Sequence, residues 1–248
     1  MLIRCIDFET TGVPTEEAPQ AVCEVGWCDV VRIDEDFPFS HGLPRAMLVN
    51  PGRPMPPEAC GVHNITDADL IGAPPITSGF MQLTAGEPDF YCAFNADFEQ
   101  AFFGGHGAPW LDPYKAAVRL WPDAPNHQQC TLRYMLKLEV DRAAAAPPHR
   151  AGPDAYVLAA LLAHILNEDL VDIATLVRWS KGPALLPKCT VGEHRGKPWS
   201  EVPASFLEWI LRPDKNFDRN VKATVKHELR VRSENAMSSD TNHEIKNR

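Results

Sequence analysis

The sequence has no long hydrophobic run. Its longest apolar stretch, Ala155–Leu166, is already interrupted by His164 and falls short of the roughly 20 residues that a membrane span needs. No internal repeat recurs, which excludes a solenoid or collagen-like array. There is no C-x-x-C pair, and the seven cysteines (5, 23, 28, 60, 92, 130 and 189) are odd in number and scattered. That pattern argues against a disulfide framework and against a thiolate zinc site. Most of these cysteines lie in apolar surroundings such as VCEVGW and FYCAF, as small core residues do. The opening MLIRCIDFETTG lacks the layout of a signal peptide, because the carboxylates of Asp7 and Glu9 break its apolar stretch. These absences predict a soluble, cytoplasmic protein with no membrane partner.

What is present is an ordinary globular composition, 44% hydrophobic and 23% charged over 248 residues. That length suits one sizeable α/β domain with a small appendage. The net charge of −9 divides unevenly: −14 over residues 1–177, +6 over 178–232 and −1 over 233–248. An acidic body joined to a basic segment suits a metal-dependent enzyme acting on a polyanion. The expected organisation is therefore a catalytic domain over 1–177, a small basic module over 178–232, and a tail over 233–248. The tail is too poor in apolar residues to fold and is predicted to be disordered.

Three strands are expected in the first 50 residues, at LIRCIDFE, AVCEVGWCDVVRI and RAMLVNP, as an antiparallel meander. PPEACGVHNIT reads as a helical turn and a loop, and DFYCAFN as another buried strand. Helices are expected at ADFEQAFF, PYKAAVRLW, HQQCTLRYMLKL and PDAYVLAALLAHIL, with Pro153 suited to the first helical position of the last. A β meander followed by α, β and several α elements predicts an α/β fold, a mixed sheet flanked by helices. Past residue 178, TVGEHRGKPW reads as strand–turn–strand. PASFLEWIL reads as an amphipathic helix with Ser205 and Glu208 as a capping box.

The chemistry concentrates in three groups. Asp7 and Glu9 alternate with apolar residues at the end of the first strand, so both carboxylates share a face. Two charges 4 Å apart at an effective dielectric near 20 repel by about 4 kcal/mol, and a bound divalent cation would remove that cost. Asp97 and Glu99 lie where DFYCAFN meets the next helix, a place where sites form in α/β sheets. His149 sits in a loop ahead of Asp154, which opens the long apolar helix. Each group alone has a plainer reading: a solvated strand end, first-turn acids on a helix dipole, and a helix cap. Together they supply about four carboxylates and a base, which a two-ion phosphodiester hydrolysis requires.

In these residues the chain resembles the DEDDh family of 3′→5′ exonucleases. The likeness runs through IDFETTG, AFNADFEQAFF and HRAGPDAYVLAALL in the family's order, and reaches on to GEHRGKPWSEVP and FLEWIL. The resemblance implies a ribonuclease H-like catalytic core and release of nucleoside 5′-monophosphates from DNA 3′ ends, single-stranded or duplex. It implies two Mg²⁺ ions, with Mn²⁺ as a substitute, on Asp7, Glu9, Glu99 and Asp154, and His149 as general base. It places Thr10 and Thr11 beside the terminal nucleotide and His63, Asn64 and Ile65 against its sugar or base. Arg195 and Lys197, interleaved with Trp199, are the candidate strand contacts of the basic module; the equal alternative is a solvated RGK turn, with Trp199 and Trp209 as the core of a very small module.

The chain departs from the family's H-N-A-x-F-D pattern. Phe94 stands where the histidine belongs and Glu99 where the aspartate belongs, while Asp97 occupies the variable position. With Phe98 fixing the register, Glu99 is the expected ligand and Asp97 the alternate. Two other readings stay open: RNA trimming, since no motif decides the sugar, and a nucleic-acid-binding protein with weakened catalysis. The resemblance also allows a homodimer, although no exposed apolar stripe marks its face.

Overall fold

The computed structural model describes residues 1–13 and 19–246, with side chains through 235. The chain divides into two compact units, one of residues 1–116 and 124–181, the other of 117–123 and 182–248. The division after 181 falls close to the expected one after 177, but the second unit also takes in 117–123.

The first unit is built on a mixed six-stranded sheet. Strands β1 (Leu2–Thr10), β2 (Val22–Val31), β3 (Ser40–His41) and β4 (Arg45–Leu48) make the antiparallel part, with both β3 and β4 paired to β2. Strand β5 (Phe90–Cys92) pairs parallel to β1, and β6 (Trp110–Leu111) parallel to β5. The meander and the mixed sheet expected from the sequence are present.

Period-2 geometry separates the two faces of this sheet. Ile6 and Phe8 of β1 join Val25 and Trp27 of β2 in a core with Leu83, Tyr91 and Phe103. Helices α2 (Ile76–Thr84) and α3 (Asp97–Phe102) contribute to that core, whereas α1 (Pro57–His63) places Ala59 and Cys60 in a separate cluster with Cys23, Met55, Ile65 and Leu70. Leu83 belongs to α2, and Phe80 and Phe102 pack at the edge of its cluster. The opposite face carries Cys5, Asp7 and Glu9, each facing its register partner Cys28, Gly26 or Glu24. Here the α6 helix (Ala151–Asn167) is seated against the sheet, following α4 (Pro113–Leu120) and α5 (Gln129–Met135). Helix α6 is apolar on nearly every side and correspondingly buried. It begins two residues earlier than expected, with Arg150 as its N-cap, so Pro153 is the third helical residue and not the first. Helix α7 (Ile173–Ser180), capped by Asp172, closes the unit.

The second unit has its own core of Cys189, Val191, Trp199, Val202, Leu207, Ile210, Val221 and Val225. Helices α8 (Ala204–Ile210) and α9 (Arg219–Lys246) supply half of it. The expected capping box is absent: α8 has Pro203 at its N-cap and no side-chain cap bond, because Pro203 already presets the helical entry and Ser205 falls inside the helix. The expected strand–turn–strand is reduced to one isolated bridge, Lys188 to Pro198, around a 3₁₀ turn at Gly192–His194. Residues 233–246, expected to be disordered, are helical backbone in α9, and no glycine or proline in that stretch stops the helix. Residues 247–248 of that tail lie outside the described residues.

All seven cysteines are free thiols, and five are buried; Cys130 is exposed. Among the described residues no helix is long and apolar enough to cross a membrane.

Candidate active site

The carboxylates come together at the end of β1. One oxygen each from Asp7, Glu9 and Asp154 lies within 4.8 Å of the others. Alternation along β1 puts the first two on the α6 face, and the first turn of α6 brings Asp154 across to them. Burial and mutual repulsion raise all three proton affinities. For Glu9, burial first and then the charges of Asp154 and Glu24 push the pKa to about 8. Asp7 is held well above the usual carboxylate range by burial and by Asp154, Glu99 and Glu9. Asp154 is raised by burial against the opposing pull of the His149 backbone N–H.

The structure treats the two second-motif candidates differently. Glu99 is 3% exposed, and its Oε2 has no hydrogen-bond partner. Burial, with the charges of Asp112 and Glu9, raises its pKa well above normal. It stands outside the group of three but within electrostatic reach of Asp7 and Glu9. Asp97 instead accepts a 3.0 Å ion pair from the Nζ of Lys115, a side chain only 1% exposed. Lys115 is held in turn by Asp112 and by the Ser180 carbonyl. The Asp112 carboxylate also accepts the backbone N–H groups of Asn95 and Ala96, fixing the entry to α3.

The four carboxylates suit a hard divalent cation: every donor is an oxygen, and one buried oxygen lacks any other partner. Their electrostatics give a pH prediction for the metal-free protein. The folded state keeps a proton on Glu9 up to about 8, whereas the unfolded chain releases it near the ordinary value of 4.5. Between those limits the unfolded state binds fewer protons, so stability falls as pH rises. In EDTA, the thermal midpoint is expected to drop between about pH 5.5 and pH 8, and added Mg²⁺ to raise it most at the upper end. A midpoint that rises with pH in EDTA would mean that these groups ionise without cost.

Beside the cluster lies a cleft of about 320 Å³, lined by Asp7, Phe94, Gln128, Gln129, Cys130, His149 and Asp154. His149 is exposed and adopts a left-handed backbone, φ 58°, and its N–H donates to Asp154 Oδ2 at 3.0 Å. Phe94 thus forms part of the cleft wall, braced edge-on by Tyr114.

The remaining expected residues divide. Thr10 and Thr11 are buried at the exit of β1, where Thr10 Oγ1 closes a turn on Gly12 and Thr11 Oγ1 bonds Gln20 and Ala21. His63 is 3% exposed; its Nε2 lies 3.3 Å from the Thr10 carbonyl and its Nδ1 accepts the Ile65 N–H. Ile65 is buried with Cys23, Met55 and Leu70, so only Asn64 of that trio presents a side chain to solvent. His63 and Ile65 are thus buried, with the His63 ring beside the Thr10 carbonyl. In the second unit Arg195 and Lys197 are exposed on a turn, whereas Trp199 is core and presents no stacking face.

Sequence reasoning missed the clamp behind His149. Glu24 of β2 is 2% exposed and receives Arg150 in a two-pronged pair, Nη2 at 2.5 Å and Nε at 2.9 Å. It also accepts the Ala151 N–H at 3.0 Å, so one carboxylate fixes the residue after His149 and the start of α6. Gly26 completes the seat, since a Cβ there would lie 2.1 Å from the Ala151 carbonyl carbon. A glutamate and a glycine inside the apolar run VCEVGW were the available signals.

The sequence profile of the exonuclease family matches residues 5–162, a span that includes every carboxylate above and His149. The chain belongs to the exonuclease family. Exonucleases of this family depend on divalent metal, in keeping with the carboxylate cluster. Among curated relatives, Exodeoxyribonuclease 10 of Escherichia coli (strain K12) is 29% identical over 231 residues, 92% of this chain and 99% of the relative. Among solved structures, exonuclease X in complex with 5′ overhanging duplex DNA matches with a TM-score of 0.58 at 29% identity, covering 72% of this chain and 99% of that one. A full-length 3′-exonuclease matches with a TM-score of 0.52 at 13% identity, covering 67% of this chain and 60% of that one, which is a likeness of fold alone. The ribonuclease H-like core expected from the motifs is thus the fold of this exonuclease.

Proposed function

We propose that this exonuclease removes nucleoside 5′-monophosphates from DNA 3′ ends, with Asp7, Glu9, Glu99 and Asp154 as ligands of two Mg²⁺ ions. The observation that carries the reading is the convergence of Asp7, Glu9 and Asp154 to within 4.8 Å on a cleft that His149 also lines. Glu99 is the fourth ligand in preference to Asp97, because its buried oxygen is unpartnered while Asp97 is neutralised by Lys115. When bound, divalent ions supply the positive charge that the carboxylates lack and that a phosphoryl transfer needs.

The chain's own groups do the rest. His149, exposed at the cleft mouth, takes the proton of the attacking water. Water oxygen bonds to the terminal phosphorus, the bond to the 3′ oxygen of the remaining strand breaks, and that oxygen takes up a proton. The clamp from Glu24 to Arg150 keeps His149 and Asp154 in place through this exchange. Phe94 closes the wall with an apolar face where the family pattern has a histidine. The relatives support DNA as the substrate, by the name of one and by the duplex bound to another.

The test is release of mononucleotides from a 3′-labelled single-stranded DNA, beside RNA of the same sequence, with Mg²⁺, Mn²⁺ or EDTA. Metal-dependent release from DNA is expected, with Mn²⁺ able to substitute. His149→Ala should lower turnover by about 10²–10⁴-fold while leaving metal binding intact. Faster release from RNA would move the substrate to RNA, and no release from either would leave nucleic-acid binding as the function.

A further inference from the structure

The catalytic cleft has one apolar wall. Phe94 forms it, at the place where the family pattern has a histidine. Of the side chains that line the cleft among the described residues, Phe94 alone has no atom able to donate or accept a hydrogen bond. The others are carboxylates, amides, a thiol and the imidazole of His149.

That wall is held in place from both sides. Ala93, just before it, donates its N–H to the Leu111 carbonyl at 3.1 Å, and Asn95, just after it, donates to Asp112 Oδ1 at 3.0 Å. Asp112 is fully buried, and the same oxygen accepts the N–H of Tyr114 at 3.1 Å. One carboxylate therefore fixes both the backbone beside Phe94 and the residue whose ring meets Phe94 edge-on, 5.6 Å between centres. Asn95 then turns the chain away in the left-handed region, φ 68°. The backbone that carries the ring cannot retreat from the cleft without leaving a buried carboxylate short of its donors. The ring is thus a fixed part of the cleft that the hydrolysis itself does not use.

We infer that Phe94 is the residue that makes this enzyme select deoxyribose over ribose beside the scissile phosphate. The inference rests on the exonuclease reading above and deepens it by assigning the choice of sugar to one side chain. Each sugar flanking that phosphate is joined to it through an ester oxygen. A phosphate at Asp7 and Asp154 therefore brings a sugar into the cleft of about 320 Å³ that Phe94 walls. A ribose against the ring brings a 2′-hydroxyl that loses water and gains no partner, whereas deoxyribose presents only C–H there. A histidine in this place would offer the hydroxyl a ring nitrogen. The departure from the family pattern thus exchanges a hydrogen-bonding wall for one that penalises RNA.

The test compares three 3′-labelled strands of one sequence in Mg²⁺: DNA, RNA, and DNA whose last two nucleotides are ribonucleotides. In the mixed strand both sugars flanking the first scissile phosphate carry the hydroxyl, while the rest of the strand is unchanged. The parent is expected to cleave DNA with a kcat/KM about 10–100-fold above that of the other two strands. Phe94→His should narrow the gap between DNA and the mixed strand by at least about fivefold, chiefly through faster cleavage of the mixed strand. Phe94→Gln, which supplies an amide and no imidazole, should narrow it likewise, so that a folding defect in one variant leaves the other to decide. Phe94→Leu keeps the wall apolar and should preserve the gap to within about twofold. A parent that cleaves DNA and the mixed strand alike would overturn the assignment. So would His and Gln variants that change the rates on all three strands by one factor. Release from none of the strands by the parent would remove the exonuclease reading itself, and the sugar assignment with it.

Discussion

Gly26→Ala is expected to be among the most damaging single-methyl changes in this protein. The new Cβ would meet the Ala151 carbonyl carbon at 2.1 Å, its oxygen at 2.2 Å and the Gly152 nitrogen at 2.5 Å. All three are backbone atoms, so no rotamer change relieves the clash, and helix α6 must lift from β2. Overpacking in a close-packed interior costs about 1–3 kcal/mol, and this site belongs at the upper end. A loss of about 3 kcal/mol would lower the thermal midpoint of a unit this size by about 10 °C. The same displacement moves Asp154 and His149 away from Asp7, and misplacement near 1 Å can cost about 10²-fold in rate. Gly79→Ala is the informative comparison: there the close neighbour is a side-chain methyl, Val25 Cγ2 at 2.8 Å, which can rotate away. Parental stability and turnover in Gly26→Ala would show that α6 is not pinned to the sheet.

Glu99→Gln and Asp97→Asn should separate in opposite directions on two measurements. Glu99 is buried with an unpartnered oxygen, and burial raises its pKa. Its amide replacement removes a charge that is costly to bury, so the metal-free variant should unfold at a higher temperature than the parent near pH 8. Turnover should fall by at least about 10²-fold, since stabilisation by a bound ion is worth several kcal/mol. Stability gained where activity is lost is the signature of a functional carboxylate. Asp97→Asn should do the reverse. It takes a charged partner from the buried Lys115 Nζ, at a cost of about 1–3 kcal/mol, while turnover stays within a few-fold of the parent. A larger catalytic loss in Asp97→Asn would assign the second motif to Asp97.

The clamp between Glu24 and Arg150 explains how a histidine on an exposed loop becomes a positioned group. His149 takes a left-handed backbone, a conformation that histidine tolerates better than most non-glycine residues, and its N–H is spent on Asp154. The next residue is tied by two charge-assisted bonds to a nearly inaccessible carboxylate. The loop is thereby fixed on both sides of the imidazole, which is itself free to face the cleft.

Much of this was legible in the chain itself. Alternation along LIRCIDFET placed Asp7 and Glu9 on one face, because side-chain direction in a strand has a period of two. The apolar run after Pro153 announced the buried helix that presents Asp154, although its start was misjudged by two residues. Motif order gave the family, and Phe98 gave the register that favours Glu99 over Asp97. These are local properties, set by neighbours a few residues apart. The choices that shape the site were long-range. Arg150 meets Glu24 across 126 positions, and nothing local pairs them. The burial of His63 and Ile65, and of Trp199 in the second unit, was set by long-range packing, because exposure depends on what packs above a side chain. Lys115 neutralises Asp97 only because β6 and α7 bring Asp112 and Ser180 to the same buried ammonium group. The sequence by itself determined which carboxylates were available and the order in which they come. Tertiary packing alone decided which were paired, which were left unpaired, and what holds His149 beside them, since burial sets the cost of each unpaired charge.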